Sequence, residues 1–145
     1  MSGRLGGKVA FVTGGRGGIG RAICSRFILE GAVVYAADLT DSGSLGSSTE
    51  DASRYVRLDV TSEDEAKAAM AKVSADEGKL DILVNAAGIE LEKTIEHTTL
   101  DEWNQSFAVN VTGTFLASKH ALPLLRKAAT DGKTASIINF GSYDG

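Results

Sequence analysis

The residues with the clearest chemical meaning form a run of glycines near the start of the chain. They lie between a predicted strand and a segment with helical spacing: Val12-Thr13-Gly14-Gly15-Arg16-Gly17-Gly18-Ile19-Gly20. Glycines let a backbone approach a pyrophosphate, and a helix N-terminus offers free N–H groups and a positive dipole. The run lacks the Gly-Lys-Ser/Thr ending of a triphosphatase loop. It predicts a dinucleotide site, against the alternative of a turn that needs only small residues. We assign to this site Gly14, Arg16, Gly18, Ile19 and Gly20.

An acidic residue ends the next predicted strand. Asp38 lies about 20 residues after the glycines, where a carboxylate can accept hydrogen bonds from the two hydroxyl groups of a ribose. The same charge would repel a 2′-phosphate, and Leu39 and Thr40 beside it supply no cation. The sequence therefore favours NAD(H) over NADP(H), and we add Asp38 and Leu39 to the site. Arg16, inside the glycine loop, is the one residue that favours NADP(H). The alternative interpretation of Asp38 is that it is simply a turn residue at the end of the strand.

Apolar stretches alternate with helical periodicity along the chain. Strands are predicted at 8–12, 32–37, 55–58, 80–85 and 135–140. Helices are predicted at 18–30, 62–78 and 99–128. The strands are continuously apolar, as in a sheet that is covered on both faces. We therefore predict one α/β domain over residues 1–145, built on a doubly wound parallel sheet of the Rossmann type with about five strands.

Local signals mark the helix ends. Ser62 with Glu65 and Thr99 with Glu102 have the spacing of capping boxes. Pro123 is expected to kink the last helix near its end. Residues 40–51 are rich in Ser, Gly and Asp, which predicts a loop or a short helix.

Composition excludes several classes of protein. The chain has 145 residues, a net charge of −4 and no basic run, which argues against nucleic-acid or anionic-membrane partners. It has no stretch of about 18 apolar residues, and the apolar run after Lys8 is too short for a secretory signal. The single cysteine, Cys24, excludes a disulfide framework, and no His–carboxylate cluster has metal-ligand spacing. We expect a cytoplasmic protein without a metal site.

Six motifs in one order resemble those of the short-chain dehydrogenase/reductase family. Besides the glycine loop and Asp38, they are Asp59-Val60-Thr61, Asn85-Ala86-Ala87-Gly88, Asn110-Val111-Thr112-Gly113 and Asn139-Phe140-Gly141-Ser142. The resemblance covers essentially the whole chain. It implies an NAD-dependent oxidoreductase that moves hydride between nicotinamide and a secondary alcohol or ketone. It also implies a homodimer or homotetramer for the full-length enzyme.

The resemblance assigns two of these motifs to the adenosine half of the cofactor cleft. Asp59 would bind the adenine amino group, with the Val60 backbone beside it. The turn Asn85, Ala86, Ala87 and Gly88 would line the cleft by its backbone, although Ala86 stands where the family has a second Asn. From residue type alone, Asp59 is equally suited to lead into the next helix cap.

The resemblance assigns the last two motifs to catalysis. Asn110 would order a water in a proton relay, and Ser142 would hydrogen-bond the substrate carbonyl or hydroxyl. Without the family, Asn110 could be a solvent-facing side chain and Ser142 an ordinary residue of a strand-end turn.

The family's general base, a Tyr in Tyr-x-x-x-Lys, does not occur in this sequence. In that pair the Lys lowers the pKa of the phenol, so that the Tyr exchanges a proton near neutral pH. His97, in a polar loop, and His120, on a helix, are poor substitutes. We therefore expect the chain as written to be an inactive N-terminal portion of a longer enzyme, without its C-terminal strands and helices. The alternatives are a stand-alone dinucleotide-binding module and a methyltransferase on a related sheet.

Overall fold

Parallel strands form one sheet in the computed structural model, which describes residues 3–41 and 52–142. In chain order they are β1 (Val9–Thr13), β2 (Val33–Asp38), β3 (Arg54–Arg57), β4 (Ile82–Asn85) and β5 (Ser136–Asn139). Their spatial order is β3-β2-β1-β4-β5, and every neighbouring pair is parallel. This is the doubly wound order, so the predicted fold is confirmed. The predicted strands differ from the observed ones by one or two residues at their ends.

Helices connect these strands. They are α1 (Gly18–Leu29), α2 (Glu63–Glu77), α3 (Leu100–Phe107), a π-helical segment (Ala108–Thr112) and α4 (Gly113–Ala128), preceded by a 3-10 turn at Ile95–His97. Most of the segment predicted as a loop or short helix, 42–51, lies outside the described residues, so that prediction remains untested.

The central strands β1, β2 and β4 are covered on both faces, which explains their continuously apolar sequences, whereas β5 is exposed. On one face Phe11, Tyr35 and Leu83 pack with residues of α2 and α4. On the other face Val12 and the neighbouring strands pack against α1, where Cys24 is buried. Successive residues of β1 therefore enter opposite halves of the core, as the two-residue period of a strand requires.

The helix predicted at 99–128 is observed from Leu100 to Ala128, with a change of helical geometry inside it. α3 ends at Phe107, the π-helical segment follows, and α4 then runs through Pro123 to Ala128. The predicted long helix is therefore present, with an unpredicted π-helical segment around Asn110, and the kink expected at Pro123 stays a prediction. π-helical turns are rare and widen the helix by one residue, which changes where the side chains after them point.

One of the two predicted capping boxes is complete. The Thr99 side chain accepts from the Glu102 N–H, and the Glu102 side chain accepts from the Thr99 N–H. At α2 the Ser62 hydroxyl accepts from the Glu65 N–H, but the Glu65 carboxylate turns away to the Asp59 N–H at 2.7 Å. That second box is therefore half formed, since the Asp59 N–H is a competing donor for the Glu65 carboxylate.

Candidate functional site

A cleft of about 340 Å³ opens at the carboxyl ends of β1, β2 and β4. In an open parallel sheet this edge is where ligands bind, at the point where the strand order reverses. That reversal lies here between β1 and β4. The lining residues are Gly14, Gly17, Asp38, Leu39, Leu58, Asp59, Val60, Ala86, Ala87, Gly88, Ile89, Gln105 and Val109.

The glycine loop packs directly against the turn after β4. Gly14 has a φ of +64°, and a Cβ on it would lie 2.8 Å from the Ala87 Cα. The Thr13 hydroxyl oxygen accepts hydrogen bonds from the Ala86 and Ala87 N–H groups, at 3.2 and 3.1 Å. Glycine at position 14 is therefore required by conformation and by space, and the loop and the turn form one wall of the cleft.

The N-terminus of α1 differs from those of α2 and α3. Its N-cap is Gly17, which offers no side-chain oxygen, and its first turn has no acidic residue. By contrast, α2 and α3 begin with a capping side chain and acidic residues. The first-turn residues Gly18, Ile19 and Gly20 are not among those lining the cleft. The first N–H groups of α1 thus have no capping side chain and can donate hydrogen bonds to an anion.

Asp38 is fixed by backbone donors. Its Oδ2 accepts from the Arg16 N–H at 3.0 Å, and its Oδ1 accepts from the Leu39 N–H at 2.8 Å. A carboxylate has about four lone-pair positions, so each oxygen can accept a further hydrogen bond. The carboxylate is therefore oriented at the cleft with capacity for a pair of hydroxyl groups.

The Arg16 side chain is held by the segments that flank the end of β2. Its Nε forms an ion pair with Asp41 at 2.9 Å, and its Nη1 donates to the Ser53 hydroxyl at 3.1 Å. The guanidinium lies over the Tyr55 ring, 5.6 Å from the centroid, and the Tyr55 hydroxyl donates to the Asp38 carbonyl at 3.2 Å. The Arg16 side chain is buried and does not line the cleft. Its positive charge is paired with Asp41 and lies over the Tyr55 ring.

Asp59 and Val60 form the wall opposite the glycine loop. The Thr61 hydroxyl and N–H both donate to Asp59 Oδ1, at 2.7 and 2.9 Å, and they lower the pKa of this carboxyl. The carboxylate is therefore charged near neutral pH. Val60 packs against the start of α4, where a Cβ on Gly113 would lie 2.7 Å from Val60 Cγ2.

Asn110, in the π-helical segment, forms hydrogen bonds with the backbone of Ile89, just after the turn that follows β4. Its Oδ1 accepts from the Ile89 N–H at 2.8 Å, and its Nδ2 donates to the Ile89 carbonyl at 2.9 Å. Nδ2 also donates to the Ser106 hydroxyl at 3.4 Å. The side chain is therefore used in holding Ile89, which lines the cleft while Asn110 does not.

Two further predicted residues lie outside the lining of the cleft. Asn85 is buried, and its Nδ2 donates to the Ser118 hydroxyl at 3.1 Å and to Asn139 Oδ1 at 2.8 Å. It thereby joins β4, β5 and α4. Ser142 is exposed, three residues after the end of β5.

The structure thus brings together at the cleft Gly14, Asp38, Leu39, Asp59, Val60, Ala86, Ala87 and Gly88. The predicted residues outside the lining are Arg16, Gly18, Ile19, Gly20, Asn85, Asn110 and Ser142. Sequence reasoning did not identify Gln105 and Val109. The sequence carries no clear signal for either residue, since the π-helical segment Ala108–Thr112 changes the regular helical spacing that would relate them to Gly113.

The two histidines belong to other parts of the surface. His120 Nε2 lies 2.9 Å from Glu63 Oε1, and Lys119 donates to the same oxygen at 2.7 Å. Lys119 first and His120 second lower the pKa of Glu63 to about 2. His97 Nδ1 lies 2.7 Å from the Thr94 hydroxyl. Neither histidine lines the cleft.

Over the described ranges 3–41 and 52–142, no group of three or more His, Cys, Asp or Glu side chains has the arrangement of a metal site. Over the same ranges, no helix combines the length and apolar character needed to span a bilayer.

Comparison with known proteins decides the family. The family model described as short chain dehydrogenase matches residues 8–145. The chain belongs to the short-chain dehydrogenase family. The predicted resemblance is confirmed.

Individual relatives of this short-chain dehydrogenase carry different specificities. The chain is 40% identical to the 3-alpha-(or 20-beta)-hydroxysteroid dehydrogenase of Mycobacterium tuberculosis, covering 100% of this chain and 55% of that protein. It is 36% identical to the NADP-dependent (R)-specific alcohol dehydrogenase of Lentilactobacillus kefiri, covering 100% of this chain and 58% of that protein. The chain spans about half the length of the curated relatives it matches.

Solved structures agree with the family assignment. The ligand-free aldohexose dehydrogenase of Thermoplasma acidophilum superposes with a TM-score of 0.84 at 34% identity, covering 98% of this chain and 52% of that one. The 3-ketoacyl-(acyl-carrier-protein) reductase of Brucella melitensis, complexed with NADH, gives a TM-score of 0.85 at 31% identity, covering 95% and 58%.

Proposed function

We propose that this short-chain dehydrogenase binds NAD(H) in the cleft and belongs to an oxidoreductase that interconverts a secondary alcohol and a ketone. The single observation that carries the proposal is the placement of Asp38. Its carboxylate is oriented at the cleft by the Arg16 and Leu39 N–H groups, with lone pairs left for a ribose diol.

The chain's own residues fit the parts of a dinucleotide. The uncapped N-terminus of α1, with Gly18, Ile19 and Gly20 in its first turn, would face the pyrophosphate. Gly14 keeps the loop free of a side chain, and the turn formed by Ala86, Ala87 and Gly88 closes the cleft on the β4 side. Bound nicotinamide would supply the hydride chemistry.

The adenosine end would be held by the opposite wall. Asp59 presents a carboxylate with a lowered pKa, which suits it to accept from the adenine amino group. Val60 and Leu39 supply apolar surface for the base and the ribose.

Arg16 supports the choice of NAD(H). Its guanidinium is engaged by Asp41, Ser53 and Tyr55, and binding a 2′-phosphate would require it to leave those partners. Asp38 would in addition repel that phosphate. One relative is named as NADP-dependent, and the structure of another was determined with NADH. The family therefore does not fix the cofactor, and we base the preference of this chain for NAD(H) on its own Asp38 and Arg16.

The catalytic assignments concern the substrate side. We propose that Ser142 hydrogen-bonds the substrate oxygen and that Asn110 acts in the proton relay from its place beside Ile89. We also propose a cytoplasmic location and a homodimer or homotetramer. Support for the oligomer is an exposed apolar stripe along α3, the π-helical segment and the start of α4, formed by Leu100, Trp103, Phe107, Val111 and Phe115.

The second candidate function is dinucleotide binding without catalysis. The observation that favours it is the cleft itself, whose described lining of glycine-loop, acidic and apolar residues suits binding of a dinucleotide. Both candidate functions use the same cleft. They differ in whether the protein turns over a substrate with the bound cofactor.

An assay of the natural gene product separates these two candidates. We would measure its intact mass and then its consumption of NADH with a panel of ketones. A mass well above that of this chain, with NADH oxidised by at least one ketone, supports the oxidoreductase. A mass equal to that of this chain, with NADH bound and never oxidised, contradicts catalysis and supports the binding module.

A further inference from the structure

We propose that Gln105 selects the base of the bound dinucleotide by pairing its carboxamide with adenine. The proposal rests on the proposed dinucleotide function. It extends that function from the residues around the ribose and phosphates to a residue that would read the base.

Gln105 lies on α3 and lines the cleft together with residues of the Asp59–Val60 wall. Gly113, at the start of α4, contacts Val60 so closely that a Cβ on it would lie 2.7 Å from Val60 Cγ2. Val109 and Gln105 lie four and eight positions earlier, and both line the cleft together with Asp59 and Val60. Gln105 is exposed, whereas Val109 is partly buried. Gln105 therefore lies at the outer rim of the same wall that would hold the adenine.

The carboxamide of Gln105 is available to a ligand. Its side chain receives no hydrogen bond from the residues that the structure describes, and it makes none to them. The Asn110 amide is in contrast occupied by Ile89. Asn85 Nδ2 donates to Ser118 and Asn139, and Asn85 Oδ1 is buried without a partner in the described ranges, but Asn85 does not line the cleft. Among the described lining residues, Gln105 is therefore the side-chain amide that can offer a donor and an acceptor to a ligand.

Carboxamide and adenine match in chemistry. A Gln side chain can pair bidentately with adenine, accepting from the N6 amino group and donating to N7. Asp59 is acceptor-only when charged, so it can use the amino group but cannot donate to a ring nitrogen. Gln105 would supply a side-chain donor on this wall, in addition to the backbone of Val60. In hypoxanthine a carbonyl replaces the amino group, so a bidentate pair of this kind cannot form.

A comparison of two cofactors and two variants tests this. The purified protein, Gln105→Leu and the control Asn104→Leu are titrated with NADH and with reduced nicotinamide hypoxanthine dinucleotide. Asn104 is the exposed neighbour on α3 that does not line the cleft, so its variant reports the general effect of an added leucine.

Base selection predicts a specific pattern. Q105L should bind NADH about 3- to 10-fold more weakly than the parent, as expected for one or two lost hydrogen bonds. The same variant should bind the hypoxanthine cofactor within about 2-fold of the parent, and N104L should be within about 2-fold for both cofactors.

Two results would overturn the proposal. If Q105L binds NADH as the parent does, Gln105 is an ordinary exposed helix residue. If Q105L weakens both cofactors equally, it acts on the fold of the rim and not on the base. A parent protein that binds neither cofactor would instead refute the proposed function as a whole, so the two failures are distinguishable.

Discussion

Asn110 and Ile89 are joined by a pair of hydrogen bonds in which one side chain amide satisfies both backbone groups of one residue. The pairing resembles a single rung of a β-ladder, made between a π-helical turn and the segment leaving β4. Because Ile89 lines the cleft, the amide of Asn110 positions one of its walls. Asn110 is therefore a positioning residue in this structure, whatever further part it has in a proton relay.

Replacing Asn110 with leucine should loosen this wall. Both Ile89 groups would lose their partner, so we expect a loss of about 1–2 kcal/mol in the free energy of unfolding, measured by urea denaturation. Hydrogen exchange at the Ile89 amide should accelerate more than exchange in β1. Asn110→Asp keeps an acceptor for the Ile89 N–H and should fall between the parent and the leucine variant. Unchanged exchange at Ile89 would mean that the two bonds do not hold this segment in solution.

Gly14 and Gly78 form a matched pair for testing the glycine loop. Both have positive φ, +64° and +71°, but a Cβ on Gly78 would have nothing within 4 Å while one on Gly14 would strike the Ala87 backbone at 2.8 Å. Gly78→Ala should cost about 1 kcal/mol from conformation alone. Gly14→Ala should cost clearly more and should abolish NADH binding. Equal costs for the two variants, with binding retained, would show that the loop does not pack on the β4 turn.

Much of this architecture could be predicted from the sequence because it depends on local rules. The alternation of apolar strands with amphipathic helices led to the doubly wound sheet, and the glycine loop and Asp38 were placed at its carboxyl edge. The partner of Asn110 could not be predicted, since Ile89 is distant in sequence and the contact depends on a π-helical turn. The complete capping box predicted at Ser62 did not form for a similar reason. The Glu65 carboxylate accepts from the Asp59 N–H, across a turn, and not from the Ser62 N–H. Gln105 was missed because an exposed helical glutamine has no local signature.

Glu102 should make the stability of the folded chain depend on pH. Lys93, and then the Thr99 N–H, lower the pKa of Glu102 from its ordinary value of 4.5 to about 2. The folded pKa is below the unfolded one, so the carboxylate stabilises the fold above pH 4.5. This contribution is lost as pH falls from 4.5 towards about 2. The effect is screened by salt because the ion pair is at the surface.

The variant Glu102→Gln tests this linkage, since it keeps an oxygen for the Thr99 N–H but loses the charge that pairs with Lys93. The difference in unfolding free energy between parent and variant should be largest near pH 7. It should shrink as the pH falls through that window. Glu92→Gln is the control, because Glu92 is exposed and forms no ion pair with any described residue. A difference that stays constant down to pH 2.5 would contradict the assigned pKa.

The central claim is that Asp38 directs the cleft toward a dinucleotide without a 2′-phosphate. The most direct measurement is the Kd of NADH and of NADPH for the purified protein and for Asp38→Ser. We predict that the parent binds NADH at least about 10-fold more tightly than NADPH, from repulsion between one carboxylate and one phosphate. In D38S this ratio should shrink through both weaker NADH binding and stronger NADPH binding. A parent that binds NADPH more tightly than NADH, with a ratio that D38S leaves unchanged, would contradict the account.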